Sequence, residues 1–249
     1  MEEKVALITG SGKRMGRAIA LHLASCGYSV ALHHNTARAE AADLAAQIGA
    51  NGGKAVVVEA DLADAGSPEK LIGASIKALG RLDLLVNNAA IFQNDTMSSL
   101  DRAQWRRQFA INLEAPVFLS AAFAKSLPAS REGAIVNVID NRVLRLTPQN
   151  ISYTLAKSAL WTATQTMAQA FAPRIRVNAV GPGPTFPNAS QGEAGLAHEV
   201  AGVLLQRRVL GRDVGEAVVY LASARSVTGQ FIAVDSGQHL AWRTPDIIE

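Results

Sequence analysis

The 249-residue sequence predicts an α/β domain built on a doubly wound parallel sheet. Short apolar, β-rich runs alternate along the chain with alanine-rich stretches of helical length. Strands that are apolar along their whole length are typical of a parallel sheet that is covered on both faces. No linker, repeat or low-complexity segment divides the chain, so we predict a single domain over residues 1–249.

Two strand–helix pairs are predicted at the start of the chain. The apolar run Val5–Thr9 (VALIT) is typical of a buried strand, and Arg17–Ser25 is predicted as a helix that ends at Gly27. The run Ser29–His33 (SVALH) predicts the second strand. The stretch Ala37–Ile48 predicts the second helix, because it is rich in alanine and glutamate.

The middle of the chain continues this alternation. Three valines in Ala55–Glu59 (AVVVE) predict the third strand, and a helix is predicted over Pro68–Leu79. Leu82–Val86 predicts the fourth strand. The whole of Trp105–Leu127 is predicted as one long helix.

Three further strands complete the predicted sheet. Ala134–Ile139 (AIVNVI) is followed by a helix over Tyr153–Phe171, which Pro173 closes, and by a strand over Ile175–Val180. The last helix and the last strand are predicted over Arg212–Ser223 and Gly229–Val234. Right-handed crossovers then give a doubly wound, Rossmann-type sheet of about seven strands with helices on both faces. Ligands of such sheets bind beyond the carboxyl ends of the strands.

Composition and charge exclude several function classes. Apolar residues make up 49% of the chain and charged residues 18%, which is typical of a folded globule. No apolar run reaches the ~20 residues that span a bilayer, and the N-terminal segment lacks a signal-peptide pattern. Cys26 is the single cysteine, so we expect no metal site. The net charge is only +3 and the lysines and arginines are scattered along the chain, so we expect no nucleic-acid partner. We therefore expect a cytoplasmic protein without a membrane partner.

A glycine-containing turn, TGSGKRMG at residues 9–16, follows the first strand. Glycines let the backbone approach a pyrophosphate, and the N-terminus of the next helix offers free N–H groups and the positive end of its dipole. The spacing differs from G-x-G-x-x-G, and an ordinary glycine turn is the alternative. The position between a strand and a helix favours phosphate binding.

The segment HHNTAR at residues 33–38 indicates which nucleotide binds. Sites that prefer NAD usually place an acidic residue here to hold the ribose 2′-hydroxyl, and this segment has none. A 2′-phosphate would instead meet positive charge and donors from Arg38, Arg14, Lys13 and the histidines. The sequence therefore predicts NADP(H) as the cofactor. For His34 alone, a solvated strand end is the better interpretation.

Asp61 follows the third strand directly. A carboxylate at this place can accept a hydrogen bond from the adenine amino group of the cofactor. An N-terminal cap of the next helix is an equally good interpretation, because aspartate is a favoured capping residue.

Five motifs occur in a specific order and spacing. They are Thr9-Gly10 in the first turn, NNAA at residues 87–90, Asn112 in the long helix, Tyr153-x-x-x-Lys157, and Pro182-Gly183 after the sixth strand. Over nearly the whole chain this set resembles the short-chain dehydrogenase/reductase family. The resemblance implies an enzyme that binds NADP(H) and a small-molecule substrate and assembles as a homo-oligomer, with a tetramer expected.

Three residues within these motifs point to one branch of the family. Arg14 replaces the second turn glycine, Asp140 replaces the catalytic serine thirteen residues before the tyrosine, and Phe92 follows NNAAI. All three resemble the pteridine reductases, which reduce dihydropterins and folates with NADPH. The resemblance implies that Arg14 lies near the phosphates and the substrate, and that Phe92 stacks on the pterin. Core packing is the alternative for Phe92.

The resemblance also implies which residues form the site. The catalytic residues are Asn112, Asp140, Tyr153 and Lys157, with Asn112 supporting a water-mediated proton path to the lysine. The substrate contacts are Arg14, Phe92, Asp140 and Tyr153. The cofactor contacts are Gly10, Lys13, Arg14, Met15, His34, Asn35, Thr36, Arg38, Asp61, Leu62, Asn88, Ala89, Ala90, Tyr153, Lys157, Pro182, Gly183 and Thr185.

Tyr153 and Lys157 lie four residues apart, so they share one face of a helix. We expect the ammonium group to lower the pKa of the tyrosine toward neutral pH. An ionised Asp140 repels the charge that develops on a ketone oxygen, but it accepts hydrogen bonds from the N–H groups of a pterin or relays a proton to Tyr153. The trio therefore suits reduction of a C=N bond. A surface turn residue is the alternative for Asp140.

Two other functions are compatible with the motifs. A carbonyl reductase would use Asp140 merely in place of the serine, and an NADP(H)-sensing binding protein would need no catalytic residues. Tyr153, Lys157 and Asn112 argue against the second. Residues at about 185–210 are predicted to form a substrate lid, because this stretch contains glycines and lacks a clear strand pattern.

Overall fold

Seven parallel strands form one sheet in the computed structural model, which describes residues 3–187 and 192–242. Along the chain they are β1 (Lys4–Ile8), β2 (Tyr28–His34), β3 (Ala55–Glu59), β4 (Leu84–Asn87), β5 (Gly133–Val138), β6 (Ile175–Pro182) and β7 (Phe231–Val234). Their order across the sheet is β3-β2-β1-β4-β5-β6-β7. The predicted single Rossmann-type domain with seven parallel strands is confirmed.

Helices connect the strands and cover both faces of the sheet. They are α1 (Arg14–Ser25), α2 (Arg38–Ala50), α3 (Ser67–Leu79), α4 (Arg102–Phe109), α5 (Ala115–Ser126), α6 (Ile151–Phe171), α7 (Gly192–Ala201) and α8 (Gly211–Ser223). Short 3₁₀ turns lie over Asn141–Val143 and Gln238–Leu240. Within the described part of the chain, no helix has the length and apolarity that a membrane span requires.

The alternation of side chains along β1 divides the core into two layers. Ala6 and Ile8 pack with α1, α2 and α8 on one face, and Val5 and Leu7 pack with α3, α5 and α6 on the other. Phe123 of α5 is among the largest fully buried side chains. Burying a side chain of this size contributes about 1.5–3 kcal/mol, so each face holds its helices through apolar packing.

Two predicted segments differ from the structure. The predicted long helix is divided into α4 and α5 by a π-helical segment, Ala110–Glu114. Pro116 follows this segment and has no N–H to donate to the carbonyl four residues earlier, so a regular α-helix cannot continue there. The predicted lid contains α7, although its sequence lacks a clear pattern. Residues 188–191 of that lid lie outside the described residues.

Candidate active site

A cavity of about 890 Å³ opens at the carboxyl ends of the strands. Most residues predicted for the site contribute to its wall. They are Gly10, Lys13, Arg14, Met15, Asn35, Thr36, Asp61, Leu62, Asn88, Ala89, Ala90, Phe92, Asp140, Tyr153, Lys157, Pro182, Gly183 and Thr185. One space therefore brings together the glycine turn, the NNAA motif and the three polar residues after β5.

Three predicted residues do not line this cavity. His34 is buried, so its interpretation as a solvated strand end is wrong, and its Nδ1 lies 3.1 Å from the carbonyl oxygen of Asn35. Side chains alternate along a strand, so only the neighbouring His33 reaches the cavity. Arg38 is exposed at the first residue of α2 and lies off the wall. Asn112 is fully buried within the π-helical segment.

Gly10 and Gly16 allow the turn between β1 and α1 to close tightly. Gly10 has a φ of +63°, and a Cβ there would lie 2.9 Å from the Cα of Ala89. A Cβ at Gly16 would lie 2.2 Å from the carbonyl oxygen of Gly10. No side-chain hydrogen bond caps the N-terminus of α1. A tight backbone cradle beside an uncapped helix N-terminus fits the pyrophosphate of a dinucleotide.

His33 braces this turn. Its Nδ1 accepts a hydrogen bond from the backbone N–H of Gly10 at 3.0 Å, and its Nε2 lies 3.1 Å from the carbonyl oxygen of Ala60. Burial lowers the pKa of His33 to about 4, so the ring is neutral at neutral pH. The expectation that this histidine offers positive charge to a 2′-phosphate is therefore wrong. Its signal in the sequence was its place at the end of the second predicted strand.

Lys13 and Arg14 carry the positive charge beside the glycine turn. The Nζ of Lys13 lies 2.5 Å from Oε1 of Glu40, and both side chains are exposed. Arg14 donates from Nη2 to the carbonyl oxygen of Phe186 at 3.2 Å, and its guanidinium lies 5.6 Å from the centre of that ring. Arg14 therefore links the glycine turn to the loop after β6. Residues 35–36 line the same cavity and are exposed.

Asp61 lies in a turn between β3 and α3. Its Oδ1 accepts a hydrogen bond from the backbone N–H of Ala63 at 2.9 Å. Helix α3 begins at Ser67, with Gly66 in the capping position, so the helix-cap interpretation of Asp61 is wrong. Its position in the cavity wall is compatible with an adenine contact, which stays a prediction.

The three polar residues after β5 meet in space. Tyr153 donates from its hydroxyl to Oδ2 of Asp140 at 3.0 Å, and Oδ1 of Asp140 accepts from the backbone N–H of Arg142 at 2.9 Å. Lys157 is buried and donates from Nζ to the carbonyl oxygen of Val138 at 2.8 Å. Asp140 is therefore held at both oxygens, and it is not an isolated surface turn residue.

The electrostatics of this group differ from the expectation. Burial, and then the neighbouring Asp140, raise the pKa of Tyr153 well above its ordinary value. Burial also raises the pKa of Asp140, and it lowers the pKa of Lys157 to about 8. The expectation that the pKa of Tyr153 is lowered toward neutral pH is wrong in this geometry, because the desolvated phenol faces a carboxylate. Tyr153 is therefore protonated at neutral pH.

Asn112 clamps the segment after β4 to the π-helical segment. Its Oδ1 accepts from the backbone N–H of Ile91 at 3.0 Å, and its Nδ2 donates to the carbonyl oxygen of Ile91 at 2.9 Å. A further bond joins Nδ2 to Oε1 of Gln108 at 2.8 Å. The side-chain polar atoms of Asn112 are thus engaged in holding backbone.

Phe92 is the aromatic wall of the cavity. Its ring makes an edge-to-face contact with Tyr153, with centroids 4.8 Å apart and an angle of 83°. The guanidinium of Arg142 lies 5.6 Å from the centre of the Phe92 ring. Phe92 keeps 39% of its surface exposed, which excludes ordinary core packing. An exposed aromatic ring beside the phenol can contact a planar substrate.

A polar chain beside Asp140 was missed by the sequence reasoning. Asn141 donates from Nδ2 to Oε1 of Gln238 at 2.7 Å, and Gln238 donates from Nε2 to Oε1 of Glu199 at 2.6 Å. Asn141 follows Asp140 directly, which is a usable signal. Gln238 and Glu199 come from the turn after β7 and from α7, and only tertiary folding brings them to the wall. Other missed wall residues include Asn94, Arg107 and Arg142.

The loop after β6 lines the same cavity as the NNAA motif. A Cβ at Gly183 would lie 2.5 Å from the Cα of Asp235, so only glycine fits beside the turn after β7. Thr185 donates from Oγ1 to the carbonyl oxygen of Gly183 at 3.0 Å. Arg208 holds the next stretch by donating from Nε to the carbonyl oxygen of Thr185 at 2.7 Å.

Comparisons with known proteins bear on the identity of this site. A family model described as "Enoyl-(Acyl carrier protein) reductase" matches residues 10–239. A 3-oxoacyl-[acyl-carrier-protein] reductase of Synechocystis sp. is 30% identical over 248 residues, which cover 94% of this chain and 96% of that protein.

Two solved structures resemble the whole chain. One is FolM alternative dihydrofolate reductase 1 from Brucella canis complexed with NADP, with a TM-score of 0.95, 47% identity, and coverage of 98% of this chain and 97% of that chain. The other is angucycline C-6 ketoreductase LanV with bound NADP, with a TM-score of 0.89, 30% identity and 96% coverage of both chains.

Proposed function

Because the chain belongs to the short-chain dehydrogenase/reductase family and is an NADP-dependent oxidoreductase, we propose that it reduces a dihydropterin or dihydrofolate to the tetrahydro form. The observation that carries this proposal is the hydrogen bond from the Tyr153 hydroxyl to Asp140 at 3.0 Å. This bond places a proton donor, the Tyr153 hydroxyl, against a carboxylate that can also accept hydrogen bonds from N–H groups of the substrate. The 47% identity to a protein described as an alternative dihydrofolate reductase supports the same reading.

The proton comes from Tyr153. Bound NADPH would be held by the glycine turn and the loop after β6, and it would supply the hydride for a ring carbon of the pteridine C=N bond. The adjacent nitrogen needs a proton, and Tyr153 is protonated because its pKa is raised. The buried Lys157, when charged, stabilises the phenolate that remains, since its Nζ lies 5.8 Å from the centre of the phenol ring.

Asp140 distinguishes a C=N substrate from a ketone. An ionised carboxylate in this position opposes negative charge on a ketone oxygen, because it offers acceptors and no donor. A pteridine presents ring and amino N–H groups that a carboxylate can accept. After the reaction, the carboxylate can take up a proton from solvent and pass it to the Tyr153 phenolate; burial raises the pKa of Asp140, which favours the protonated form in this relay.

Phe92 and Arg142 form the side of the cavity that suits a flat heterocycle. The exposed Phe92 ring offers an apolar surface, and the Arg142 guanidinium fixes that ring from one side. Stacking on such a ring is favourable for a planar bicyclic substrate and gives little to a flexible acyl chain. We further propose that residues 185–210 act as a lid over this side, with Glu199 facing the cavity.

We also propose that the chain assembles as a homo-tetramer. Large apolar side chains remain exposed on helices that cover the sheet, including Phe118 of α5, Leu155 of α6 and Tyr220 of α8. Exposed apolar side chains of this size favour protein–protein contact. Light scattering on the purified protein measures the assembly, and a monomeric mass would contradict this part of the proposal.

Turnover assays test the function directly. The purified enzyme is incubated with NADPH and, separately, with a dihydropterin, with dihydrofolate and with a panel of ketones and 3-oxoacyl thioesters. Turnover of a pteridine at a kcat/KM well above that of every carbonyl compound is expected. Turnover of carbonyl compounds alone would support the carbonyl reductase that its acyl-carrier-protein reductase relatives suggest. Tight NADPH binding with no turnover of any of them would support the NADP(H)-sensing protein.

A further inference from the structure

Asp95 is a buried carboxylate that the proposed chemistry does not use. It lies three residues after Phe92, in the stretch between β4 and α4, and only 3% of its surface is exposed. Both of its oxygens lie 3.3 Å from the backbone N–H of Ser152, and Oδ2 also accepts a hydrogen bond from the Ser152 hydroxyl. A charge buried this deeply is costly unless it is well bonded, so these contacts must offset its desolvation.

These contacts cap the N-terminus of α6 with a residue that lies far from this helix in the sequence. Asn150 occupies the capping position of α6 but makes no side-chain capping bond, and its φ of +56° takes the chain sharply into the helix. The backbone N–H of Asn150 donates to the carbonyl oxygen of Asp95 at 2.8 Å. A carboxylate at this place accepts an unpaired N–H and meets the positive end of the dipole of the 21-residue helix.

The stretch that contains Phe92 and Asp95 is also hydrogen-bonded to α4. Gln108 donates to the carbonyl oxygen of Gln93 at 3.1 Å, and Gln104 donates to the carbonyl oxygen of Asn94 at 3.3 Å. Asp95 is therefore the point where a segment held by α4 is joined to the first turn of α6. Phe92 in this segment touches Tyr153 on that turn of α6.

We propose that Asp95 is a positioning residue that fixes the Tyr153 hydroxyl between Asp140 and the substrate. Ser152 directly precedes Tyr153, so a movement of the first turn of α6 displaces the phenol. The inference rests on Tyr153 as the proton donor and not on the pteridine, so it extends to any substrate that the enzyme reduces. Misplacement of a reacting group by about 1 Å costs on the order of 100-fold in rate.

Three variants and one control test this inference. Asp95→Ala removes the cap, Asp95→Asn keeps one acceptor oxygen without the charge, and Ser152→Ala removes only the hydroxyl donor. Asp213→Ala is the matched control, because Asp213 also accepts a backbone N–H at a helix start, that of Leu210 at 2.9 Å at the beginning of α8. Measurements are Tm, NADPH affinity, kcat and KM for the best substrate, and the solvent deuterium isotope effect on kcat.

Asp95→Ala is expected to lower kcat by about 100-fold with NADPH affinity unchanged, and to increase the solvent isotope effect because proton transfer becomes slow. Asp95→Asn and Ser152→Ala should show smaller losses of kcat and the same rise in the isotope effect. Asp213→Ala should lower Tm without changing kcat or the isotope effect.

A loss of Tm in all Asp95 variants with wild-type kcat and isotope effect would overturn the inference and leave only a structural cap. If Asp95→Ala does not fold, Asp95→Asn and Ser152→Ala decide by the same criterion. Wild-type enzyme that reduces only ketones would refute the pteridine proposal. The kcat of each variant would then be measured with the best ketone and compared with that of the wild-type enzyme.

Discussion

Replacing Asp140 by serine separates a pteridine reductase from a carbonyl reductase. Serine is shorter and uncharged, so Asp140→Ser removes the carboxylate that accepts from the Tyr153 hydroxyl at 3.0 Å and from the Arg142 backbone N–H at 2.9 Å. The same carboxylate is the acceptor proposed for the N–H groups of a pteridine. Hydrogen bonds to charged groups are worth about 1.5–3 kcal/mol, which corresponds to roughly 10- to 150-fold in kcat/KM.

The assay compares one dihydropterin with one ketone at saturating NADPH. For Asp140→Ser we expect kcat/KM for the dihydropterin to fall within that range. Ketone reduction should be unchanged or faster, because a hydroxyl donor has replaced a repelling carboxylate. NADPH affinity should not change, since the charges beside the glycine turn are those of Lys13 and Arg14.

Two further variants control for size and for stability. Asp140→Asn keeps the size of the side chain and removes its charge, so it should lose dihydropterin turnover as Asp140→Ser does. Asp213→Ser removes another aspartate that accepts a backbone N–H, that of Leu210 at the start of α8, and should leave both reactions unchanged. Full dihydropterin turnover in both Asp140 variants would refute the reasoning, because it would make Asp140 a bystander.

Lys13→Gln should weaken NADPH binding by about tenfold or more and NADH binding much less, because Lys13 lines the cavity. Arg38→Asp should change the affinity for NADPH by less than about threefold, because Arg38 is off the cavity wall. Fluorescence titrations with both cofactors measure this, and the reverse ranking would contradict it. Gly10→Ala should lower both Tm and NADPH affinity, while Gly27→Ala, also at a positive φ (+84°) but with nothing within 4 Å of the added Cβ, should lower Tm alone. Because Lys157 acts as a cation with a pKa of about 8, kcat/KM should fall as pH rises through about 8. Stability should rise between that pH and the ordinary lysine value, since the unfolded chain binds the extra proton there, and Lys157→Met should abolish both trends.

The sheet could be predicted from the sequence because its strands are buried on both faces. Runs such as Val5–Thr9 are apolar throughout, and that pattern survives small errors in their bounds. The prediction of one uninterrupted helix was wrong, although Pro116 within that stretch is a sequence signal for an interruption. The backbone clamp at Asn112, which also fixes the segment Ala110–Glu114, exists only in the folded chain.

The contact between Asp140 and Tyr153 was suggested by their spacing, and the structure joins them by a hydrogen bond. The protonation of Tyr153 was not predictable, because it depends on the degree of burial and on the distance to Asp140. Gln238 and Glu199 carried no sequence signal, since their polar chain exists only after β7 and α7 have packed around the cavity.

The neutral His33 ring fixes the shape of the glycine turn, and it contributes no charge that would favour one nucleotide over another. His33 bonds to the backbone of Gly10 and contacts that of Ala60, so it ties β1 to β3 without presenting a charge. The residues that follow it, Asn35 and Thr36, are exposed on the cavity wall and carry no such duty. Substitutions at Asn35 and Thr36 can therefore change the polar wall beside the glycine turn without disturbing the backbone that His33 holds in place.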